Sequence, residues 1–162
     1  MLKGKKMKFR YANENDVELI LNFIKSLAEY EKMLDEVVAT KELLKKWLFD
    51  KKIASVIFVL EGDKEVGFAL FFYNFSTFQG RGGIYLEDLY VLPKYRKKGY
   101  GKALIKKLAK IAVENDCVRF EWVCLNWNKP SIEFYLSLGA KPLNDWTTYR
   151  VDGKNLLNLA NS

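Results

Sequence analysis

The chain has 162 residues, 49% of them hydrophobic and 15% aromatic, which suits one folded domain spanning residues 1–162 with a sizeable core. It carries 27 basic and 20 acidic side chains, a net charge of +7, and no histidine, which removes Ser-His and Cys-His catalysis and most zinc sites. No apolar run approaches the roughly 20 residues of a membrane-spanning helix, and the basic opening MLKGKK (1–6) reads as a short solvated lead-in rather than a signal peptide. A cytoplasmic protein with no metal is expected.

In chain order, MKFRYA (7–12) alternates like a first strand. Asn13 and Asp16 are capping candidates for a helix whose stripe is Val17, Ile20, Leu21, Ile24, Leu27 and Ala28. Thr40 caps a second helix predicted to run to about Asp50, with Leu43, Leu44, Trp47 and Leu48 inward. Two β-rich runs, IASVIFVLE and KEVGFALFFYNF, flank Gly-Asp, a hairpin signal. STFQGRGG (76–83) reads as a loop and IYLEDLYV as the next strand. A helix follows Gly99 with Leu104, Leu108, Ile111 and Ala112 as its stripe. VRFEWVCL (118–125) is predicted as a strand, and NKPSIEFYLSLGA as a short helix with Pro130 in its first turn and Gly139 as its stop. A last β-hairpin is expected around Asp145, with the tail helical from Lys154. The order is that of an α+β domain (an α/β mixed sheet), a central mixed β-sheet flanked by helices. Cys117 and Cys124 fall too far apart on an extended strand to bridge and read as small buried apolar residues.

Two features carry chemistry. Arg96-x-x-Gly99-x-Gly101 lies between a strand and a helix, where glycines let backbone N–H groups converge at a helix N-terminus worth about half a positive charge. Lys97, Lys98 and Lys102 add to it, making an anion cradle suited to a pyrophosphate. It is not a P-loop, since Ala103 follows Lys102, nor a dinucleotide fingerprint, since position 104 is Leu. A solvated helix start explains such a turn equally well. Just upstream, Glu87 and Asp88 sit mid-strand and should project to opposite faces, as an edge strand, as buried ion pairs, or as an acidic cleft where strands splay. An acidic cleft would select a cationic substrate.

The strand, Arg-x-x-Gly-x-Gly, helix and WNKPSIEFYLSLGA (127–140) resemble the central motifs of the GNAT superfamily of acetyl-CoA-dependent N-acetyltransferases. LAEYEKM, VGFALFFY and YLEDLYV narrow the resemblance to the diamine (spermidine/spermine-type) and thialysine acetyltransferases. That resemblance implies the GNAT fold and acetyl-CoA as cosubstrate. It implies a small cationic amine as acceptor, attacked directly in a ternary complex, and a homodimer with its pocket near the subunit interface. It assigns Leu89, Tyr90 and Val91 to the pantetheine arm, Arg96, Lys97, Lys98, Gly99, Tyr100, Gly101 and Lys102 to the pyrophosphate, and Asn128 and Ser131 to the cofactor side. Tyr135 matches the general acid toward the leaving thiolate, and Glu87 the residue that draws a proton from the ammonium through water. Tyr30, Glu31, Asp88 and Trp146, with Glu87, match positions around the amine pocket, although Tyr135, Tyr30 and Trp146 could equally be packed aromatics.

Ser76 and Phe78 depart from the pattern: polyamine-preferring members carry an acid and a tryptophan there, and the Ser-Thr pair resembles the thialysine branch. Peptide N-termini remain a rival acceptor, and a silent acetyl-CoA sensor a further one. A different class, a nucleic-acid-binding module using the lysine-rich KYRKKGYGKALIKKLAK, also stays open, although no aromatic-basic RNA signature accompanies it.

Overall fold

A computed structural model describes residues 7–162; the expected lead-in at 1–6 lies outside the described residues. Two compact units divide the chain, one ending at Val123 and the other running from Cys124 to Ser162.

The first unit is built on a five-stranded sheet in sequential order: β1 (Lys8–Tyr11), β2 (Ser55–Glu61), β3 (Lys64–Ser76), β4 (Arg81–Val91) and β5 (Phe120–Glu121). The first four strands are antiparallel and β5 is parallel to β4, so the sheet is mixed, as expected. One face carries α1 (Val17–Tyr30), which packs Ile20 and Phe23 against Val56, Phe58, Phe68, Leu70 and Tyr90. The Phe23 and Phe68 rings stack at 5.1 Å. The opposite face carries α3 (Tyr100–Glu114), whose buried Leu104, Ile105, Leu108 and Ile111 cover the alternate residues Ile57, Val59, Ala69, Phe71, Ile84 and Leu86.

Local signals act where the sequence puts them. Asn13 Oδ1 accepts from Asn15 N at 2.9 Å and Asp16 Oδ2 from Asn13 N at 2.8 Å, capping the 3-10 turn Glu14–Asp16 that leads into α1. Thr40 Oγ accepts from Leu43 N at 3.2 Å at the head of α2 (Lys41–Leu44). The helix then widens to π geometry over Lys45–Asp50, with Lys51 N bonding Lys46 O at 2.9 Å. The wider turn rotates the apolar stripe: Leu48 is buried, whereas Leu43 and Trp47 are exposed, contrary to the predicted inward set. The ammonium of Lys51 lies 4.1 Å from the Trp47 ring centre instead. β3 and β4 extend to Ser76 and from Arg81, so only 77–80 is a turn where a loop over 76–83 was expected.

The second unit holds α4 (Lys129–Ser137) and α5 (Gly153–Ala160). Gly139 stops α4 at φ +85°, as expected. The hairpin predicted around Asp145 is absent among the described residues. Its turn forms, with Trp146 N bonding Leu143 O at 3.2 Å, but the flanking residues remain without strand pairing, as befits an isolated two-stranded hairpin. The strand predicted at 118–125 shrinks to β5 for a reason that lies in β4. Cys117 and Cys124 are both half-buried, less enclosed than the buried apolar residues expected, and neither forms a disulfide among the described residues.

Candidate active site

β4 departs from regular pairing at the two acids. Leu70 pairs with Asp88 and the next β3 residue, Phe71, pairs with Leu86, leaving Glu87 as an inserted bulge residue. The insertion moves the side-chain phase by one. Leu86 and Leu89 share the face under α3 and Asp88 falls on the face carrying α1, while the inserted Glu87 is exposed and its charge acts on both Asp88 and Tyr85. Tyr85, opposite Phe72 and stacked on it at 5.1 Å, and Tyr90 line the same face.

The bulge also ends the pairing of β4 with β5. Ile84 N donates to Arg119 O at 3.0 Å, and Ile84–Phe120 and Tyr85–Glu121 are in register, immediately before the insertion. Beyond it, Leu92 N bonds Val66 O at 2.9 Å on the β3 side, so ladder alternation turns the N–H groups of Leu89 and Val91 to the other side. That shift is why the longer predicted β5 strand has no ladder to join.

Glu87 is exposed and Asp88 half-buried. Burial first, and then the charges of Glu87 and Glu31, push the Asp88 carboxyl up to about 7. Glu31 comes from the end of α1, where Met33 N bonds Ala28 O at 2.8 Å and Lys32 takes φ +61°, closing the helix. Burial raises the Glu31 carboxyl too. Three acids therefore share one region with Tyr30 and Tyr90, whose rings lie 6.5 Å apart. The arrangement favours a bound cation, which would relieve their mutual repulsion.

Past Val91, a turn at Pro93–Tyr95 leads to the loop. Lys97 and Gly99 adopt left-handed backbone at φ +61° and +87°. Gly99 caps α3 with no side chain to satisfy the first N–H groups, and the first helical bond runs from Ala103 N to Gly99 O at 2.9 Å. The N–H groups of Tyr100, Gly101 and Lys102 are thus open to an anion. Lys97 and Lys102 are exposed and carry no ion pair among the described residues. The other members of the loop are engaged elsewhere. Lys98 Nζ lies 3.2 Å from Glu61, the Tyr100 hydroxyl donates to Glu61 at 2.8 Å, and Arg96 Nε donates to Val91 O at 3.0 Å.

In the second unit, buried Asn128 caps α4 by accepting from Ser131 N at 3.4 Å. Tyr135 is half-buried on the same helix, its ring 5.4 Å from Phe134. Trp146 is 80% exposed. Ser76, by contrast, is buried in the β3–β4 turn, accepting from Gln79 N at 3.4 Å, and Phe78 is fully exposed at its tip. Ser76 pairs with Arg81, so that turn lies about 20 Å along β4 from Glu87, beyond reach of the acids within this unit.

Sequence reasoning missed the bulge, the partnership of Glu61 with Tyr100, and the stacked pair Phe72–Tyr85. The last had a signal: Tyr85 is two residues from Glu87 on a strand.

Comparison with known proteins accounts for this arrangement. The model of the acetyltransferase (GNAT) family matches residues 20–140. A thialysine N-epsilon-acetyltransferase of Sus scrofa is 37% identical, covering 93% of this chain and 95% of that protein. An L-ornithine N5-acetyltransferase of Arabidopsis thaliana is 29% identical over 92% of this chain and 86% of its own. Among solved structures, an integron cassette protein from the mobile metagenome of V. cholerae superposes with a TM-score of 0.82 at 28% identity, covering 98% of this chain and all of that one. The chain therefore belongs to the acetyltransferase (GNAT) family and is an acetyltransferase.

Proposed function

We propose that this enzyme transfers the acetyl group of acetyl-CoA to a primary amine of a small cationic acceptor, and that a basic amino compound of the thialysine type suits it better than a long polyamine. The observation that carries the reading is the bulge in β4, which sets Asp88 within reach of the charges of Glu87 and Glu31 while Leu89 and Val91 turn their N–H groups away from β3. The names of the relatives, thialysine and L-ornithine acetyltransferases, support an acceptor of that size and charge.

The residues present suit acetyl-CoA. The open N–H groups of Tyr100, Gly101 and Lys102, the left-handed turns at Lys97 and Gly99, and the exposed ammonium groups of Lys97 and Lys102 would hold its pyrophosphate. The edge of Leu89–Val91 would take the pantetheine amides, and Asn128 and Ser131 are assigned to the cofactor by the family resemblance. Bound acetyl-CoA would supply an acetyl thioester, whose acetyl group passes directly to the free amine of the acceptor in a ternary complex as the C–S bond breaks and the CoA thiolate leaves.

An alkylammonium, with a pKa of about 10, is no nucleophile until it loses a proton. Glu87, exposed to solvent, accepts that proton through water. Asp88 and Glu31 hold the cation beside Tyr30, and Trp146 is assigned to the acceptor by the family resemblance alone. The Leu89 N–H polarises the acetyl carbonyl, and the Tyr135 hydroxyl returns a proton to the leaving sulfur. The matched region spans both compact units, which supports their acting as one acetyltransferase domain. A cytoplasmic homodimer belongs to the same reading; the exposed Phe75 and Phe78 near the β3–β4 turn support an interface there.

Release of CoA with acetyl-CoA and thialysine, lysine, putrescine, spermidine or an N-terminal peptide tests the proposal. Turnover of thialysine above spermidine is expected. Turnover of the peptide alone, or of no amine despite measurable acetyl-CoA binding, overturns it.

A further inference from the structure

Arg96 opens the basic loop, yet its side chain turns back from it. Nε donates to Val91 O at 3.0 Å, and the guanidinium carbon lies 4.9 Å from the Tyr30 ring centre and 5.0 Å from that of Tyr90. The two rings are tilted by 59°, so the planar cation fills the notch between them. One ring ends α1, adjacent to Glu31; the other stands two residues beyond Asp88 on the same face of β4. A single guanidinium thus joins the first residue of the anion loop, the end of the bulged strand and the helix end that delivers Glu31. No basic residue lies in the last turn of α1, and a cation stacked there also suits the negative end of the helix.

We infer that Arg96 is a positioning residue for the amine pocket, holding Tyr30 and so Glu31 in line with Asp88, rather than a phosphate ligand of the loop it begins. The inference rests on the amine-acetylation reading above. The neighbouring Lys97 and Lys102 divide the labour with it: they serve the anion, and Arg96 serves the acceptor. Charge alone does not suffice for this role, because the flexible ammonium of lysine has neither the plane that stacks on two rings nor the fixed Nε–H directed at Val91 O.

The test compares Arg96→Lys with Lys97→Ala and Lys102→Ala, using thialysine as acceptor. Arg96→Lys is expected to raise the acceptor KM roughly five- to tenfold, the size two exposed cation–ring contacts support, while the acetyl-CoA Kd from calorimetry without amine stays within about twofold. Lys97→Ala and Lys102→Ala are expected to do the reverse. Tyr30→Leu should raise the same KM and add little on top of Arg96→Lys. Hydrogen exchange reads the positioning without any turnover. The amides of Glu31 and Met33, bonded to Leu27 O and Ala28 O, should exchange several-fold faster in Arg96→Lys, with core amides of β3 unchanged. If Arg96→Lys weakens acetyl-CoA binding as Lys97→Ala does and leaves exchange at Glu31 and Met33 unaltered, the inference fails. If the wild type acetylates no amine but exchange responds as expected, the positioning stands and the functional reading is what fails.

Discussion

Gly83, Ile84 and Leu86 are buried and lie where β4 is flanked by β3 on one side and β5 on the other, whereas Glu87, one residue further on, is exposed and has no counterpart on β3. From there to Gly101 the chain accumulates features that cost stability: an inserted residue, an edge released from its neighbour, an Asp88 carboxyl pushed up to about 7, and a lysine in left-handed backbone. Residues 81–86 are arranged as packing demands. On the proposed function, residues 87–101 are arranged as ligands demand, and the bulge is the boundary. The contrast teaches that one extra residue in a ladder converts a core strand into a site, by re-aiming side chains and freeing N–H groups together.

If that boundary is real, substitutions on its two sides should read out in different measurements. Upstream, Ile84→Ala empties a fully buried position between the sheet and α3 and should cost about 4 kcal/mol in denaturant unfolding. Folded Ile84→Ala protein at low temperature should keep its acceptor KM. Downstream, Glu87→Gln should leave unfolding within about 0.5 kcal/mol and lower kcat/KM about a hundredfold at neutral pH. That loss should shrink as the pH approaches the acceptor's own pKa of about 10, where the amine arrives already deprotonated. A pH-independent loss would remove Glu87 as the proton route.

Asp88→Asn crosses both measurements. The folded state holds the Asp88 proton up to about 7, while the unfolded chain releases it near 3.8. Between those values the native state binds more protons, so stability falls as pH rises. Asp88→Asn removes that decline. It should match the wild type near pH 4 and exceed it at pH 8, by about 2 kcal/mol once the full shift is discounted for partial exposure. A bound ammonium lowers the Asp88 pKa, so amine binding near pH 6 should release protons in the wild type and fewer in Asp88→Asn. A variant that gains stability and loses acceptor affinity would locate the cost of the site on this carboxylate.

What could be read from sequence follows from how far each cause reaches. The caps at Asn13 and Thr40, the stripe of α1, the Gly62 turn and the stop at Gly139 depend on residues within a turn of each other, and each lies as expected. The Arg96–Gly101 loop was legible because a helix start at a glycine cap is a local demand. The bulge was not, because nothing in YLEDLYV says which residue β3 will skip. Nor could the sequence show Arg96 between Tyr30 and Tyr90, since one ring arrives from a helix more than sixty positions upstream. The π-widened turn after Leu44 and the short β5 belong with these: both follow from pairing and packing that periodicity alone cannot see.

The smallest effects come from the two glycines of the loop, and they separate backbone geometry from space. Gly99 sits at φ +87°, where an L-residue is strained by about 1 kcal/mol, although an added methyl would meet only Met7 Cε at an ordinary 3.7 Å. Gly99→Ala should therefore lose about that much stability and, by turning the first N–H groups of α3, several-fold in acetyl-CoA affinity. Gly101 lies inside the first turn with no such backbone demand, and its methyl would rest 3.9 Å from Val91 Cγ2. Gly101→Ala should gain up to about 0.5 kcal/mol from lower unfolded-state entropy and keep acetyl-CoA affinity within about twofold. Thermal unfolding and calorimetry on the pair decide the matter. Affinity lost in Gly101→Ala with stability intact would mean that the anion lies against the Cα itself, so that the second glycine is kept for the ligand's approach and only the first for the turn.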